Sequence, residues 1–291
     1  MGTSSSSKGA PSNVPLVPAW VPNIPVPVIP ETPVVDAPTG DVTEVASATA
    51  PVPATPAGSL AKVTENLAPP GRFASARSAA GAFARNGSSE ALRRSLGHYV
   101  RTGYGGARTA VQRLGGTIRT ANSLYSILTP TAAGGGESQD GLDRALLSGK
   151  SARDVMDAVV ELVRPTDGTQ DAEASREAIR GCLSEVLVKF PDADLLALTP
   201  EQRDFSIELY VALDVFHRYV LDLGKTIQDK AASATSALAR LKDVKDYIRQ
   251  TVAAEFRRLA DVGQRLRENS INQIVKTALQ KALQVFENYH Q

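Results

Sequence analysis

The sequence predicts an all-α protein: a helical bundle with a long C-terminal helix, preceded by an extended or disordered, proline-rich N-terminal arm. Three observations lead to this fold class. Fourteen of the 18 prolines fall in residues 1–71. Beyond residue 72, apolar residues recur at steps of three and four, the period of an amphipathic helix. No segment there shows the alternation of a strand. The expected divisions are the arm (1–71), an arginine-rich helical segment (72–128) and a C-terminal helical bundle (140–291) packed with that segment as one body.

The first residues of the arm are small and polar, Met1-Gly2-Thr3 followed by four serines. We expect Met1 to be removed, which leaves Gly2 with the free α-amino group. With a reference pKa of about 8, this amine is partly neutral near pH 7 and can act as a nucleophile. The same residues are also typical of a plain flexible start, and Gly2 with Ser6 fits the short myristoylation pattern.

Residues 14–30 interleave prolines with β-branched residues and contain the one tryptophan. Proline removes backbone donors and pushes the preceding residue to extended geometry, which excludes helix and central strand. Apolar residues are unusual in a pure spacer. We therefore expect this strip to dock on the body or in a partner groove, with a plain linker as the alternative; residues 39–71 are typical of a spacer. The candidate contact residues are Val17, Pro18, Trp20 and Val21.

Residues 72–128 hold nine arginines and one glutamate, a net charge of +8 that the rest of the chain cancels. Two helices are predicted here, one that Ser89 caps and one from Ala107 to about Leu128. The expected inward positions are Leu92, Leu96, Tyr99 or Val100, Val111, Leu114, Ile118, Ala121, Leu124 and Tyr125.

The arginines of this segment lie mostly off the apolar stripes, so we expect them to face solvent or a partner. Four interpretations are open: a basic face that pairs with the acidic remainder of the body, a protein partner, nucleic acid, or a small anion held by the glycine-rich loop 103–106 ahead of a helix. The loop lacks the Lys-Ser/Thr of a nucleotide-binding P-loop. The candidate partner-binding residues are Arg93, Arg94, His98, Tyr99, Arg101, Tyr104 and Arg108.

Five helices are predicted in residues 140–291. Their expected positions are a helix from Ser151 to Pro165, one over 172–190, one from Thr199-Pro200 to Leu223, one of up to about 40 residues from Gln228, and a last helix that Ser270 and Gln273 cap. The heptad-like stripe of the long helix is Ala231, Ala234, Leu238, Leu241, Lys245, Ile248, Val252, Glu255, Leu259, Val262 and Leu266. The first of the five should bury Val155, Val159, Leu162 and Val163. The apolar stripe of the last helix is Ile271, Ile274, Val275, Ala278, Leu279, Ala282, Leu283 and Phe286.

Composition excludes several classes of protein. One cysteine, Cys182, rules out a disulfide framework and a cysteine-rich zinc site, and it suits a reducing compartment, so we expect a cytoplasmic location. Three isolated histidines give no metal-ligand spacing. No apolar run reaches the roughly 18–20 residues of a membrane span, and no export signal is recognisable. Cys182 and His217 lie beside helical stripes and fit core or boundary positions. We expect a non-enzymatic protein without a metal or cofactor.

Two stretches carry a family resemblance. The first is Met-Gly-Thr-Ser-Ser-Ser-Ser-Lys-Gly at 1–9 with Pro-Leu-Val-Pro-Ala-Trp at 15–20, and the second is Leu-Arg-Arg-Ser-Leu-Gly-His-Tyr-Val-Arg-Thr-Gly-Tyr-Gly-Gly at 92–106. They resemble the QatB component of bacterial Qat anti-phage defence systems. In that family the protein is encoded with an ATPase, a QueC-like enzyme and a TatD-like nuclease. The resemblance implies direct binding to the QueC-like enzyme, leaves contacts with the other two open, and brings no catalytic residue.

The resemblance also implies a role for Gly2. Relatives of the QueC-like enzyme activate a carboxylate with ATP, and relatives in defence systems join a deazaguanine to a protein's N-terminal glycine, so Gly2 would be the acceptor. Two other interpretations stay open. One is an oligomeric scaffold built by the helix over 228–268. The other is a nucleic-acid-binding subunit whose phosphate contacts would be Arg93, Arg94, Arg101, Arg108, Arg113 and Arg119.

Overall fold

The computed structural model describes residues 71–130 and 142–290. In these two ranges the chain forms α-helices, π-helical and 3₁₀ turns, and no strand, which confirms the predicted all-α class. None of the helices in these ranges has the length and apolar character needed to cross a membrane. Almost all of the predicted arm, 1–71, lies outside the described residues.

Eleven α-helices follow one another along the two described ranges. The first four are α1 (Ala74–Asn86), α2 (Ser89–His98), α3 (Ala107–Arg113) and α4 (Gly115–Leu128). The next four are α5 (Arg144–Leu147), α6 (Ala152–Val163), α7 (Gln170–Lys189) and α8 (Pro200–Tyr219). The last are α9 (Lys225–Lys230), α10 (Ala234–Asp261) and α11 (Ile271–Glu287). Two π-helical turns, Tyr99–Gly103 and Val220–Gly224, continue α2 and α8, and a 3₁₀ turn, Asn288–His290, follows α11.

Local capping chemistry begins two of these helices where the sequence predicted. Ser151 caps α6 and forms a reciprocal capping box with Asp154. Thr199 and Gln202 do the same for α8, with proline at the first helical position. Each box satisfies backbone N–H groups that a helix start leaves without partners.

Two other predicted caps differ from the structure. Ser88, one residue before the predicted Ser89, accepts the hydrogen bond from the α2 backbone. Ser270 precedes α11, but its hydroxyl donates to the carbonyls of Arg265 and Arg267, so the predicted side-chain cap with Gln273 does not form.

Two predicted helices are interrupted. The helix expected over 107–128 divides at Leu114, where the backbone (φ −86°, ψ 18°) leaves the helical region before a pair of glycines, which are weak helix formers. The helix of up to about 40 residues divides at 231–233 into α9 and the 28-residue α10. Ser233 caps α10 by accepting a hydrogen bond from the Ser236 N–H. Serine is favoured at an N-cap position and less favoured inside a helix. The scaffold interpretation therefore loses the continuous helix on which it was based.

The buried faces of two helices also differ from the predicted stripes. On α10, Leu238 is 68% exposed, and Val262, just beyond that helix, is 71% exposed. On α6, Leu162 is 39% exposed, while Val160, which was not singled out, is fully buried. Periodicity locates an apolar face but does not say which of its flanks neighbouring helices cover. The residues that α10 does bury are Ala237, Val244, Ile248, Val252, Glu255 and Phe256.

A single hydrophobic core joins the arginine-rich segment to the C-terminal helices. Its largest fully buried side chains include Phe83 of α1, Leu96 of α2, Tyr210 of α8 and Phe286 of α11. Helix α1, which was not predicted, has an inner face that is mostly alanine and packs on α2 and α9. Cys182 is fully buried, which confirms its predicted core position.

Candidate functional site

Six arginines of the basic segment are exposed, as their positions off the apolar stripes predicted. We call them the arginine set: Arg93, Arg94, Arg101, Arg108, Arg113 and Arg119. Within residues 71–130 and 142–290, Arg94 pairs with Glu90, and the other five have no carboxylate oxygen within 4.0 Å. No ion pair therefore joins this set to the acidic remainder of the body among the described residues, although Arg72 and Arg77 of the same segment favour the ionised form of Asp222. The Arg93 guanidinium also lies over the rings of Tyr247 and Tyr289, 6.0 and 5.7 Å from their centroids.

Three other predicted contact residues lie deeper. Tyr99 and Tyr104 are only 4% and 9% exposed, and their rings meet edge to face with centroids 5.1 Å apart. Phe73 stacks on Tyr99 at 5.3 Å. Both tyrosines are thus largely core residues, although Tyr104 also lines the cleft described below, and their predicted role as partner contacts stays a prediction. His98 is half-buried.

The glycine-rich loop does not present an empty anion site. Gly106 has φ 100°, a left-handed conformation that glycine adopts without strain. The next residue, Ala107, donates its backbone N–H to Glu287 Oε2 at 3.1 Å. A carboxylate from the end of α11 thus occupies the position where an external anion was expected. The small-anion interpretation of this loop is wrong.

A polar cleft of about 220 Å³ lies where the two π-helical turns meet the ends of α3, α7 and α8. Side chains from six separate positions of the fold converge there, and π-helical turns are frequent at functional sites. We call it the π-turn cleft. Its lining residues are Arg72, Tyr104, Arg113, Gln170, Asp171, Arg218, Leu221 and Asp222.

A buried carboxylate anchors one side of this cleft. Asp214 is fully buried and accepts hydrogen bonds from the hydroxyls of Thr117 and Ser175. It also accepts from Arg218 Nε at 3.0 Å, while Arg218 Nη1 donates to Asp171 Oδ2 at 2.7 Å. Burial alone would lower the pKa of Arg218, but the two carboxylates raise it further than burial lowers it. The guanidinium is therefore fixed in place and permanently charged.

Asp222 forms the other side of the cleft. It is half-buried and accepts a hydrogen bond from the Tyr99 hydroxyl at 2.9 Å. Burial raises the pKa of its carboxyl group, against the opposing effects of the Tyr99 hydrogen bond and of Arg72. The first π-helical turn, which carries Tyr99, ends at Gly103. A Cβ at Gly103 would lie 2.3 Å from the Phe73 ring, so only glycine fits there.

Sequence reasoning missed most of the cleft. Asp214 and Arg218 had one signal, an acid and a base four residues apart beside the apolar stripe of α8. Asp171 had none, because it meets Arg218 only through folding. Burial raises the pKa values of Tyr99 and Tyr104 beside the cleft, and of Cys182 in the core, so these groups stay protonated at neutral pH. In the two described ranges no group of three metal-ligating side chains occurs.

The predicted residues of the arm lie outside the described residues. They are Gly2, Val17, Pro18, Trp20 and Val21. Their predicted roles stay predictions.

Comparison with known proteins gives one match. Residues 105–286 match the family model described as Qat anti-phage system associated protein QatB. Searches among curated proteins and among solved structures found no significant match. The matched range runs from the glycine-rich loop through most of α11, and it includes helices in which the sequence offered no motif. Most of the residues on which the family resemblance was based lie outside the matched range. Because the match spans more than half of the chain, the chain belongs to the QatB family of proteins associated with Qat anti-phage systems.

Proposed function

We propose that this chain is a non-enzymatic cytoplasmic component of a Qat anti-phage system, which binds a QueC-like enzyme and presents Gly2 as the acceptor for ATP-dependent deazaguanine conjugation. Family membership is the observation that carries the proposal. The sequence adds support, because Gly2 precedes a run of small polar residues that would not hinder its amine.

The chemistry requires two steps on the partner enzyme. The enzyme joins the carboxyl group of a deazaguanine acid to the AMP moiety of ATP and releases pyrophosphate. The neutral amine of Gly2 then attacks the acyl carbon, so that an amide C–N bond forms, the C–O bond to AMP breaks, and AMP leaves. The attacking nitrogen loses one proton to a base of the partner or to water. This chain supplies only the nucleophile.

Recognition would use both parts of the chain. Trp20 with Val17, Pro18 and Val21 would bind beside the partner's active site and hold the arm there. The exposed arginines Arg93, Arg94, Arg101 and Arg108 would face acidic residues of the partner. Electrostatic attraction of this kind mainly accelerates association and weakens with salt.

Mass spectrometry tests the conjugation. The full chain is co-expressed with the QueC-like enzyme, and the intact protein and its N-terminal peptide are weighed. We expect a mass increase on the peptide that begins with Gly2, and none in a Gly2→Pro variant, whose amine is secondary and hindered. A Thr3→Ser variant is the matched control and should be modified normally. An unmodified Gly2 peptide beside an enzyme that still exchanges pyrophosphate into ATP would refute the proposal.

Co-purification tests recognition separately. Removal of residues 2–30 should weaken binding to the QueC-like enzyme if the arm is recognised. Replacement of Arg93, Arg94, Arg101 and Arg108 by glutamine should weaken it if the body is recognised. A complex that survives both changes would refute recognition through these residues.

A second candidate function is nucleic-acid binding, and a specific observation favours it: five members of the arginine set are exposed without a carboxylate partner among the described residues. Each arginine that contacts a phosphate should lower the slope of log K against log salt by about 0.9 for duplex DNA. Fluorescence anisotropy with labelled DNA and RNA of random sequence, at several salt concentrations, measures that slope. No binding at low salt would exclude this function.

A further inference from the structure

The π-turn cleft has hydrogen-bond donors that the fold leaves unused. Its acidic groups are already engaged, because Asp171 pairs with Arg218 and Asp222 accepts from Tyr99. By contrast, Arg72 and Arg113 have no carboxylate oxygen within 4.0 Å in the part of the chain that the structure describes. A guanidinium group offers five N–H donors and no acceptor. Most of the spare hydrogen-bonding capacity of the cleft is therefore donor capacity, which suits an oxyanion.

The charge balance limits how negative that oxyanion can be. The cleft and the carboxylate behind it contain three guanidinium groups and three carboxylates, so their formal charges cancel. The N-terminus of the 20-residue α7 adds a partial positive charge at Gln170. A singly charged group fits this balance, whereas a second negative charge would face Asp171 and Asp222 without compensation.

The shape and polarity of the lining indicate what surrounds the charged group. Leu221 is 45% exposed at the cleft, which offers an apolar contact for a neighbouring carbon. Asp222 has acceptor capacity beyond its bond from Tyr99, so it can accept an N–H from the same ligand. A carboxylate with an adjacent carbon and an adjacent amide N–H would use all three features of the lining: the arginine donors, the apolar Leu221 side chain and the Asp222 carboxylate.

We propose that the π-turn cleft binds a carboxylate with an adjacent N–H group, its oxygens held by Arg72 and Arg113. Planar guanidinium forks match a carboxylate in a bidentate arrangement. Two sources share this chemistry: an acylated amino acid, and the C-terminal residue of a partner polypeptide. The site is separate from the Gly2 acceptor, and it stands whether or not Gly2 is modified.

Calorimetric titration of the full chain at pH 7 and low salt tests the site. The probes are N-acetylglycine, the tripeptide acetyl-Ala-Ala-Gly as the free acid, its C-terminal amide, and inorganic phosphate. We expect one bound acid per chain and no binding of the amide. Arg113→Gln should weaken binding about tenfold or more, because it removes charge-assisted hydrogen bonds. Arg108→Gln is the matched control: it also changes an exposed arginine of α3 without an ion pair, but one that does not line the cleft.

Each outcome of the titration either identifies the class of ligand or refutes the proposal. Equal binding of N-acetylglycine and the tripeptide assigns a small-molecule ligand, and clearly tighter binding of the tripeptide assigns a polypeptide C-terminus. Four results would overturn the proposal: no binding of either acid at up to about 10 mM, equal binding of the amide, tighter binding of phosphate than of either acid, or equal weakening by Arg108→Gln and Arg113→Gln. Circular dichroism of both variants confirms that they are folded, so a loss of binding reports on the site.

Discussion

Replacing Asp214 by asparagine tests whether the buried ion pair holds the π-turn cleft together. The variant keeps the shape of the side chain and one acceptor oxygen, but it removes the charge that faces Arg218. Arg218 is 8% exposed, so its guanidinium would lose its only fully buried counter-charge among the described residues. Breaking a buried ion pair in this way costs about 3–5 kcal/mol.

Asp171, which remains as the partner of Arg218 in the variant, determines where in this range of about 3–5 kcal/mol the cost should fall. Asp171 stays at 2.7 Å from Nη1, but its side chain is 64% exposed and is screened by water. We therefore expect about 3 kcal/mol, the lower end of the range. For a body of this size 1 kcal/mol corresponds to about 2–4 °C, so the melting temperature should fall by about 6–12 °C.

Thermal unfolding followed by circular dichroism measures this change, and urea unfolding checks it at constant temperature. Asp171→Asn is the matched control, since it removes the exposed partner of the same arginine and should cost no more than about 1 kcal/mol. An Asp214→Asn melting temperature within about 2 °C of the wild type, or an equal loss in Asp171→Asn, would refute the reasoning.

Three further changes test other parts of the structure. Gly103→Ala should destabilise the protein by about 1–3 kcal/mol in urea unfolding, because its Cβ would meet the Phe73 ring; an unchanged midpoint would show that the π-helical turn is not confined there. Cys182 should resist a thiol reagent in the native protein and react on unfolding, since burial raises its pKa; rapid native labelling would contradict this. Asp222→Asn should raise the urea midpoint at pH 7, because burial raises the Asp222 pKa and the ionised form therefore costs stability above that pKa. That gain should shrink as pH falls from the raised folded-state pKa to below the unfolded-state pKa, where the wild-type carboxyl is protonated in both states; a gain that grows on acidification would have the wrong sign.

The direction of the Asp222 effect depends on all the groups that face it. Tyr99 donates to its carboxylate and Arg72 lies nearby, and both favour the ionised form, as does Arg77. Asp171 favours the protonated form together with burial, and burial is the largest influence. The same substitution removes one negative charge from the cleft, so it should also strengthen carboxylate binding.

Features that depend on neighbouring residues could be predicted from the sequence. The capping boxes at Ser151 and Thr199 act within three residues, and a pattern of letters suffices to find them. The inward face of α11 was also predicted in full, because its apolar residues keep one period from Ile271 to Phe286. The exposure of the arginine set was predicted as well, because most of these arginines lie off the apolar stripes of their own helices.

Features that depend on distant contacts could not be predicted. The exposure of Leu238 is decided by which helices pack alongside α10, and nothing in the local sequence records this. α1 was missed because its inner face is mostly alanine, which gives little contrast in hydrophobicity. The occupation of the glycine-rich loop by Glu287 joins residues 180 positions apart.

The single core sets the smallest piece of this chain that can fold. The family match begins at residue 105, and a fragment cut there would lack α1 and α2. It would lose Phe83 and Leu96, and it would expose Tyr219, whose hydroxyl lies 2.7 Å from that of Ser95 in α2. A fragment for crystallisation or binding studies should therefore begin before Phe73, because the boundary of sequence similarity is not the boundary of the folding unit.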